Sequence, residues 1–454
     1  MNGPTAASLP TRRPPPSRRC FQSEAVESAL ADGARRIGDP VLAWLFTNTF
    51  PNTLDTTVTF DESGEHPDTF VVTGDIPAMW LRDSTAQVWP FLPFTATDEK
   101  LRRMVEGLIR RQASCVQLDP YANAFYREPV FGEWRNDQTE MKPGVHERKW
   151  ELDSPLYFLR LCRGYRHHAG AFAPFDATWV AALHSILDCL RDQQKDDHRY
   201  RFVRSAAKAP PHAGRGNPSR YCGLVRSAYR PSDDACMFPF LIPSNAMAVV
   251  ELRATAGLCE ELHPQPGDDL LRMAGEFRTL AEEIEKGIRA FGLVETGPGA
   301  IEFAYEVDGF GGRLLMDDAN TPNLLSLPYL GYCKSQDPVY LRTRARVLSA
   351  ANPYFVKGAL GAGLGSPHVS RKHVWPMGLM MQAITSTEDA EITACLRLLV
   401  KAHTATGFMH EAFHVDDASN FTRPWFAWAN TLFGELILKV LAERPHLVEG
   451  PLDP

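Results

Sequence analysis

Three observations predict an all-α fold, an (α/α)6 barrel built as a six-hairpin toroid with short β excursions in its loops. Twelve stretches carry helical spacing or helix-start signals. Long excursions, aromatic or glycine-rich, interrupt them at intervals. Strand–helix alternation is absent, and so is any close internal repeat, which argues against a βαβ fold and an ordinary solenoid. A chain of 454 residues is long for one domain, but barrels routinely exceed the usual domain size. Residues 21–454 are therefore read as one domain, preceded by a disordered arm over 1–20.

Taken in order, residues 24–48 show helical spacing through Val26, Ala29, Leu30, Val41, Leu42, Leu45 and Phe46. Asn52 to Glu65 and Phe70 to Val72 are read as two short strands, because β-branched residues dominate them. The Gly74-Asp75 and Ile76-Pro77 pairs mark a turn into a helix from Trp80 to Phe91. Thr97 is a good N-cap for a helix over 98–113. Ser154 caps, and Pro155 opens, a helix over 155–168; Asp176 caps another over 177–195. Further helices are expected at 244–260, 269–291, 322–334, 338–350, 374–386, 388–405 and 425–443. The excursions fall at 115–150, 196–231 and 292–320. Loops of that length are usually functional or lie at a barrel mouth.

Composition narrows the function. An apolar content of 44% supplies an ordinary core, and a net charge of −7 lacks the basic bias of a nucleic-acid binder. No run of 18 apolar residues is present, so no membrane span is expected. Met1 to Arg19 has no apolar h-region and does not read as a signal peptide, which points to the cytoplasm. The nine cysteines form no Cys-x-x-Cys pair. They fit buried free thiols in a reducing compartment better than disulfides or a zinc site. Asn420-Phe-Thr422 is a glycosylation sequon, relevant only to an exported chain.

One stretch concentrates chemistry. Thr73 to Ser84 packs Asp75, Trp80, Arg82 and Asp83 beside Ile76 and Leu81. An aromatic ring can cover the apolar face of a pyranose, while Arg and Asp bond its hydroxyls. The plainer alternative is an Arg–Asp pair stapling a helix start, and the residues alone leave the two even. Carboxylates also crowd other loops: Glu151 and Asp153, Asp233 and Asp234, Asp317 and Asp318, Glu411, Asp416 and Asp417. A single Asp at a helix start is most often a cap. Asp233 and Asp234 follow Ser232, so one can cap while the other is free, and adjacency pushes one pKa upward as an acid catalyst requires. Glu411 sits between His410 and aromatic residues with no helix for it to cap. Glycoside cleavage needs one protonated and one ionised carboxyl. The Asp-Asp-Ala-Asn and Asp-Asp-Ala-Ser-Asn runs faintly suggest Mg²⁺, but no phosphate loop accompanies them, so no metal and no cofactor are expected. His373 is a sugar contact or, the better reading of a lone His, a core residue.

Four motifs now stand together: Gly74-Asp-Ile-Pro-Ala-Met-Trp-Leu-Arg-Asp-Ser84, Arg230-Pro-Ser-Asp-Asp-Ala235, His373-Val-Trp-Pro-Met377 and Gly407-Phe-Met-His-Glu411. Jointly they resemble glycoside hydrolase family 125, over about residues 24–445. The resemblance implies an (α/α)6 barrel and an exo-acting α-1,6-mannosidase. It implies metal-independent, inverting removal of a non-reducing terminal mannose from an oligosaccharide or N-glycan fragment. It makes an aspartate of Arg-Pro-Ser-Asp-Asp the general acid, with Asp233 favoured over Asp234, and Glu411 the general base. Asp75, Trp80, Arg82, Asp83, Glu151, Asp153, His373, Trp375 and His410 are then candidate substrate contacts. The basic loop over 204–220 is unusually long for the family and bears on the acceptor side. Two other readings are a lyase or different glycosidase on the same toroid, and a sugar-binding relative without catalysis. The first would want a Tyr or His base and a basic site; the second is disfavoured by the presence of both carboxylates.

Overall fold

The computed structural model describes residues 9–204, 209–262 and 269–452. Its architecture is the expected all-α toroid. Twelve α-helices of eight or more residues occur among the described residues. They are α1 (Glu24–Arg36), α2 (Pro40–Thr49), α3 (Leu81–Val88), α4 (Glu99–Leu118), α5 (Asp153–Ala169), α6 (Ala177–Asp192), α7 (Ile242–Leu262), α8 (Asp269–Gly287), α9 (Pro338–Val347), α10 (Pro376–Ile384), α11 (Asp389–Lys401) and α12 (Ala427–Glu443).

The inner ring is made of helices buried on most of their faces. Helix α3 packs on α5, α5 on α7, α10 on α12, and α12 back on α3. Helices α7 and α12 bury nearly every face. Their buried polar groups are paired: Asn245 exchanges bonds with the Val225 backbone at 2.9 and 3.0 Å, and Glu251 takes two bonds from Arg163 at 2.8 Å each. Amphipathic helices lie outside, with α4 against α5 and α6, α8 against α7, and α11 against α10.

One station of the ring is not a helix. Residues 322–334, expected to be helical, form successive turns instead. Pro328 has no N–H for the ladder and Gly331 adopts φ +86°, so no repeat can propagate. Asp317 takes over the capping, accepting from Leu324 and Leu325 N–H at 2.9 and 3.0 Å. The segment still fills its place, since Tyr329 donates to Glu435 of α12 at 3.1 Å. Conversely, the stretch 24–48 is two helices. Asp39 accepts from Val41 and Leu42, and Pro40 takes the first position of α2. Two caps also differ from expectation. Asp98, not Thr97, caps α4. Ser154 lies inside α5 and its hydroxyl donates to Glu151 at 3.0 Å. Asp176 caps α6 as expected.

Of the N-terminal arm, residues 1–8 lie outside the described residues and residues 9–20 lie against the barrel. Trp44 donates to the Pro10 carbonyl at 2.9 Å, Arg12 N–H to Asn48 at 2.7 Å, and Arg13 pairs with Asp55 at 2.7 Å. All nine cysteines are free, and six are buried.

The short strands build one rim. The expected hairpin is β1 (Val58–Asp61) with β2 (Asp68–Val71). Three three-stranded antiparallel sheets follow: β3 (Met79–Trp80), β4 (Ala124–Phe125) and β5 (Val145–Glu147); β6 (Phe240–Leu241), β7 (Glu306–Val307) and β8 (Arg313–Leu314); β9 (His373–Val374), β10 (Ala412–His414) and β11 (Asp417–Thr422). Each sheet positions a carboxylate or an aromatic of the pocket described next. Among the described residues no helix is long and apolar enough to cross a membrane.

Candidate active site

A cavity of about 140 Å³ opens where these sheets meet, bordered by Trp80, Arg82, Asp83, Ser232, Asp233, His368, Trp375, Glu411, Arg423, Phe426 and Trp428, among others. Six of the sequence-derived candidates therefore converge: Trp80, Arg82, Asp83, Asp233, Trp375 and Glu411.

Trp80 ends β3, pairs with Ala124, and is held edge-on by His146 at 5.1 Å. One residue later α3 begins, which turns Arg82 and Asp83 inward. Arg82 is 3% exposed and the centre of an acidic cluster. Its Nη1 donates to Glu151 at 2.6 Å and Asp153 at 3.1 Å, and its Nε lies 3.6 Å from Asp83. Glu151 and Asp153 are fully buried beneath the pocket and do not border it. They hold Arg82. Burial pushes the carboxyls of Asp83, Glu151 and Asp153 upward against the pull of Arg82, that of Asp83 to about 6.

Asp233 stands on a tight turn. Its N–H donates to the Arg230 carbonyl at 2.9 Å, and the Arg230 N–H returns to the Asp234 carbonyl at 2.8 Å. No helix starts here, so neither aspartate is a cap. Asp233 itself has φ +65°, a left-handed backbone that a non-glycine residue adopts at some cost and that recurs at functional sites. Glu306 on β7 fixes both ends of the loop. It accepts from Arg230 at 2.6 Å and from the Met237 and Phe238 N–H groups at 2.9 Å each. Burial alone would raise the Asp233 carboxyl. Lys149, 3.5 Å away, together with Arg82, His368 and a hydrogen bond from Glu151, holds it below the usual carboxylate range. Asp234 points away from the cavity, accepting from Ser232 at 2.9 Å, with His368 3.8 Å off. That contact with Asp234 raises the His368 imidazole.

Glu411 precedes β10 and faces the cavity. Arg423, one residue after β11, donates to it at 3.3 Å. Asp75 does not border the cavity; it clamps the other edge of Arg423. His410 lies behind, its ring stacked on Phe421 at 3.9 Å and hydrogen-bonded to the Pro424 carbonyl and the Thr404 hydroxyl. His373 packs edge-on against His414 in the β-sheet, away from the cavity. Trp375 borders it, with its indole N–H buried and unpaired. The carboxylate pairs that faintly suggested Mg²⁺ serve turns: Asp317 caps as described, Asp318 accepts from Asn320 at 2.7 Å, and Asp416 accepts from Ala359 at 2.8 Å. Among the described residues no group of three His, Cys, Asp or Glu side chains is placed to hold a metal ion.

The residues that sequence reasoning missed are His368, Arg423, Phe426, Trp428 and Lys149. Arg423-Pro-Trp-Phe-Ala-Trp428 carries the same mix of fixed cation and aromatics that marked residues 75–84, so that signal was available. His368, between Pro367 and Val369, offered none.

Residues 39–438 match the family described as metal-independent alpha-mannosidase (GH125). The chain is 41% identical over 465 residues to the meiotically up-regulated gene 157 protein of Schizosaccharomyces pombe, covering 97% of this chain and 90% of that one. A Streptococcus pneumoniae metal-independent α-mannosidase, solved as a non-productive substrate complex with α-1,6-mannobiose, is 39% identical. It superposes with a TM-score of 0.88 over 94% of this chain and 100% of its own. A Bacillus rhamnosidase of family GH78 shares the fold alone, at 13% identity and a TM-score of 0.50 over 95% of this chain and 36% of its own. The chain belongs to glycoside hydrolase family 125 and is an α-mannosidase of the (α/α)6 fold.

Proposed function

We propose that the enzyme is an exo-acting α-1,6-mannosidase that hydrolyses with inversion, using Asp233 as general acid and Glu411 as general base. The observation that carries this is the presence of both carboxylates on one cavity of about 140 Å³. A cavity of roughly 150 Å³ accommodates one six-membered ring, so a single terminal mannose fits and an internal stretch of glycan does not. Trp80, Trp375 and Trp428 offer faces for the apolar side of that ring, and Arg82, Asp83 and Arg423 offer hydroxyl partners. Asp233 would protonate the departing glycosidic oxygen while Glu411 takes a proton from the attacking water. An inverting pair needs roughly 6.5–9.5 Å between its carboxyl groups, leaving room for that water. The α-1,6 linkage rests on the mannobiose bound by the pneumococcal relative. A mannose-containing oligosaccharide or N-glycan fragment is the corresponding substrate class.

The test is hydrolysis of α-1,6-mannobiose followed by NMR of the first-formed anomer. β-Mannose is expected at the outset. Initial α-mannose would rule out inversion, and faster release from α-1,2- or α-1,3-mannobiose would rule out the linkage.

A further inference from the structure

Glu151 was expected to touch substrate hydroxyls, yet it is fully buried and does not border the cavity. Its Oε2 is occupied by Arg82 at 2.6 Å and the Ser154 hydroxyl at 3.0 Å. Its Oε1 is buried with no donor in the chain, while the buried Oδ1 of Asp233 accepts no hydrogen bond and faces only the Lys149 ammonium at 3.5 Å. The two carboxyl groups lie within hydrogen-bonding reach of each other. Two ionised carboxylates in that position would repel and leave the buried Oε1 of Glu151 without a donor. One proton between them satisfies both.

We propose that Glu151 is the positioning residue of the acid: it holds one proton in common with Asp233 and supplies it when the glycosidic bond breaks. This rests on the role of Asp233 given above. The groups facing the pair are Arg82 and Asp83 from α3, Asp153 from α5, Lys149 beside β5 and His368 from its loop. Lys149, Arg82 and His368 favour the ionised form of Asp233, while burial favours the neutral form of Glu151, so the proton sits on the Glu151 side at rest. In the reaction the proton passes from Glu151 to Asp233 and from Asp233 to the glycosidic oxygen as the C1–O bond breaks. Water adds its hydroxide to C1 and its proton to Glu411. Both carboxylates of the pair are then ionised beside Lys149 and Arg82. Solvent reprotonates the pair as Glu411 releases its proton, so the count closes.

The experiment measures kcat/KM against pH for α-1,6-mannobiose and for 2,4-dinitrophenyl α-mannoside, whose leaving group needs no proton. Glu151→Gln should lower mannobiose hydrolysis by about 100-fold or more at neutral pH and move the alkaline limb to lower pH. Dinitrophenyl mannoside hydrolysis should stay within a few-fold of wild type, and Glu151→Asp should recover part of the loss. Equal loss on both substrates, or an unmoved alkaline limb, reduces Glu151 to a structural partner of Arg82 and overturns the proposal. If Glu151→Gln does not fold, neutron diffraction on the wild-type protein decides: a deuteron between Glu151 and Asp233 is expected, and its absence overturns the proposal. Asp233→Asn separates the two levels. Should that variant keep full mannobiose activity, the acid assignment itself fails; should only the Glu151 results go against expectation, the assignment stands without its partner.

Discussion

The guanidinium of Arg423 joins two carboxylates, its Nε 3.2 Å from Asp75 and its Nη1 3.3 Å from Glu411. Phe426 lies under it at 4.7 Å. The planar fork is thereby fixed on three sides, and Glu411 inherits its orientation from a residue 336 positions earlier in the chain, at Asp75. Removing the clamp leaves Glu411, the proposed base, and Arg423 in place but loosely aimed. Asp75→Ala is expected to lower kcat on α-1,6-mannobiose by about 10–100-fold with little change in thermal stability, since small misplacements at the chemistry cost up to about 100-fold. Arg423→Lys should do at least as much, because a point charge cannot span both carboxylates. Wild-type kcat in Asp75→Ala would mean that the clamp does not aim the base.

The adjacent aspartates should separate cleanly. Asp233 borders the cavity, whereas Asp234 is turned to Ser232 and His368. Asp233→Asn is expected to cost about 100- to 10,000-fold in mannobiose hydrolysis, the range of general acid catalysis. Asp234→Asn keeps an oxygen to accept from Ser232 and should stay within about 10-fold. Kinetics of the two single variants, with circular dichroism as a fold control, check this; a reversed order would move the acid to Asp234.

Much of this was legible from sequence, for reasons that can be named. Apolar periodicity and caps such as Asp176 are local, so most helices were found within a few residues. The segment 322–334 failed because its apolar residues are spaced for a helix while Pro328 and Gly331 deny it the backbone. The break at Gly38 to Pro40 carries a local signal of its own, the Asp39 cap followed by Pro40 at the first helical position, which the spacing of apolar residues over 24–48 does not register. In the site, residue type drew attention to Asp233 and Glu411, which border the cavity, but says nothing of reach. Glu151 and Asp153 differ from Asp233 only in depth, and depth is set by Arg82 meeting them from another helix. His373 and His410 sit in motifs beside cavity residues, yet their rings pack away from the pocket, against His414 and Phe421.

Arg82 neutralises a buried cluster, so its loss should be felt as stability before activity. Arg82→Leu leaves Glu151, Asp153 and Asp83 without the guanidinium they share. Breaking a buried pair this way costs about 3–5 kcal/mol. The three carboxyls already lie above their ordinary values through burial. Without Arg82 they hold protons in the folded state that the unfolded chain has released, so stability falls as pH rises above about 4. Denaturant titrations at pH 4 and pH 7 should show the larger loss at pH 7. An equal loss at both would indicate a packing effect rather than charge.

A second pH effect lies at Glu435, midway along α12 and not on the cavity. Burial pushes the Glu435 carboxyl up from 4.5 to about 7, only partly opposed by Arg160 and by the Tyr329 hydroxyl that donates to it. Below pH 4.5 both folded and unfolded chains carry the proton and the residue is neutral to stability. Between about 4.5 and 7 the unfolded chain has lost it and the folded chain has not, so the unfolded state binds fewer protons and stability declines with rising pH. Above 7 the penalty is complete, about 2 kcal/mol once partial solvent screening is allowed for. Glu435→Gln keeps an acceptor for Tyr329 and cannot ionise. It should match wild type in denaturant stability near pH 4 and exceed it near pH 8, with mannobiose hydrolysis unchanged at both. A variant that is less stable than wild type at pH 8 would show that the ionised carboxylate is held by Arg160 and carries no penalty.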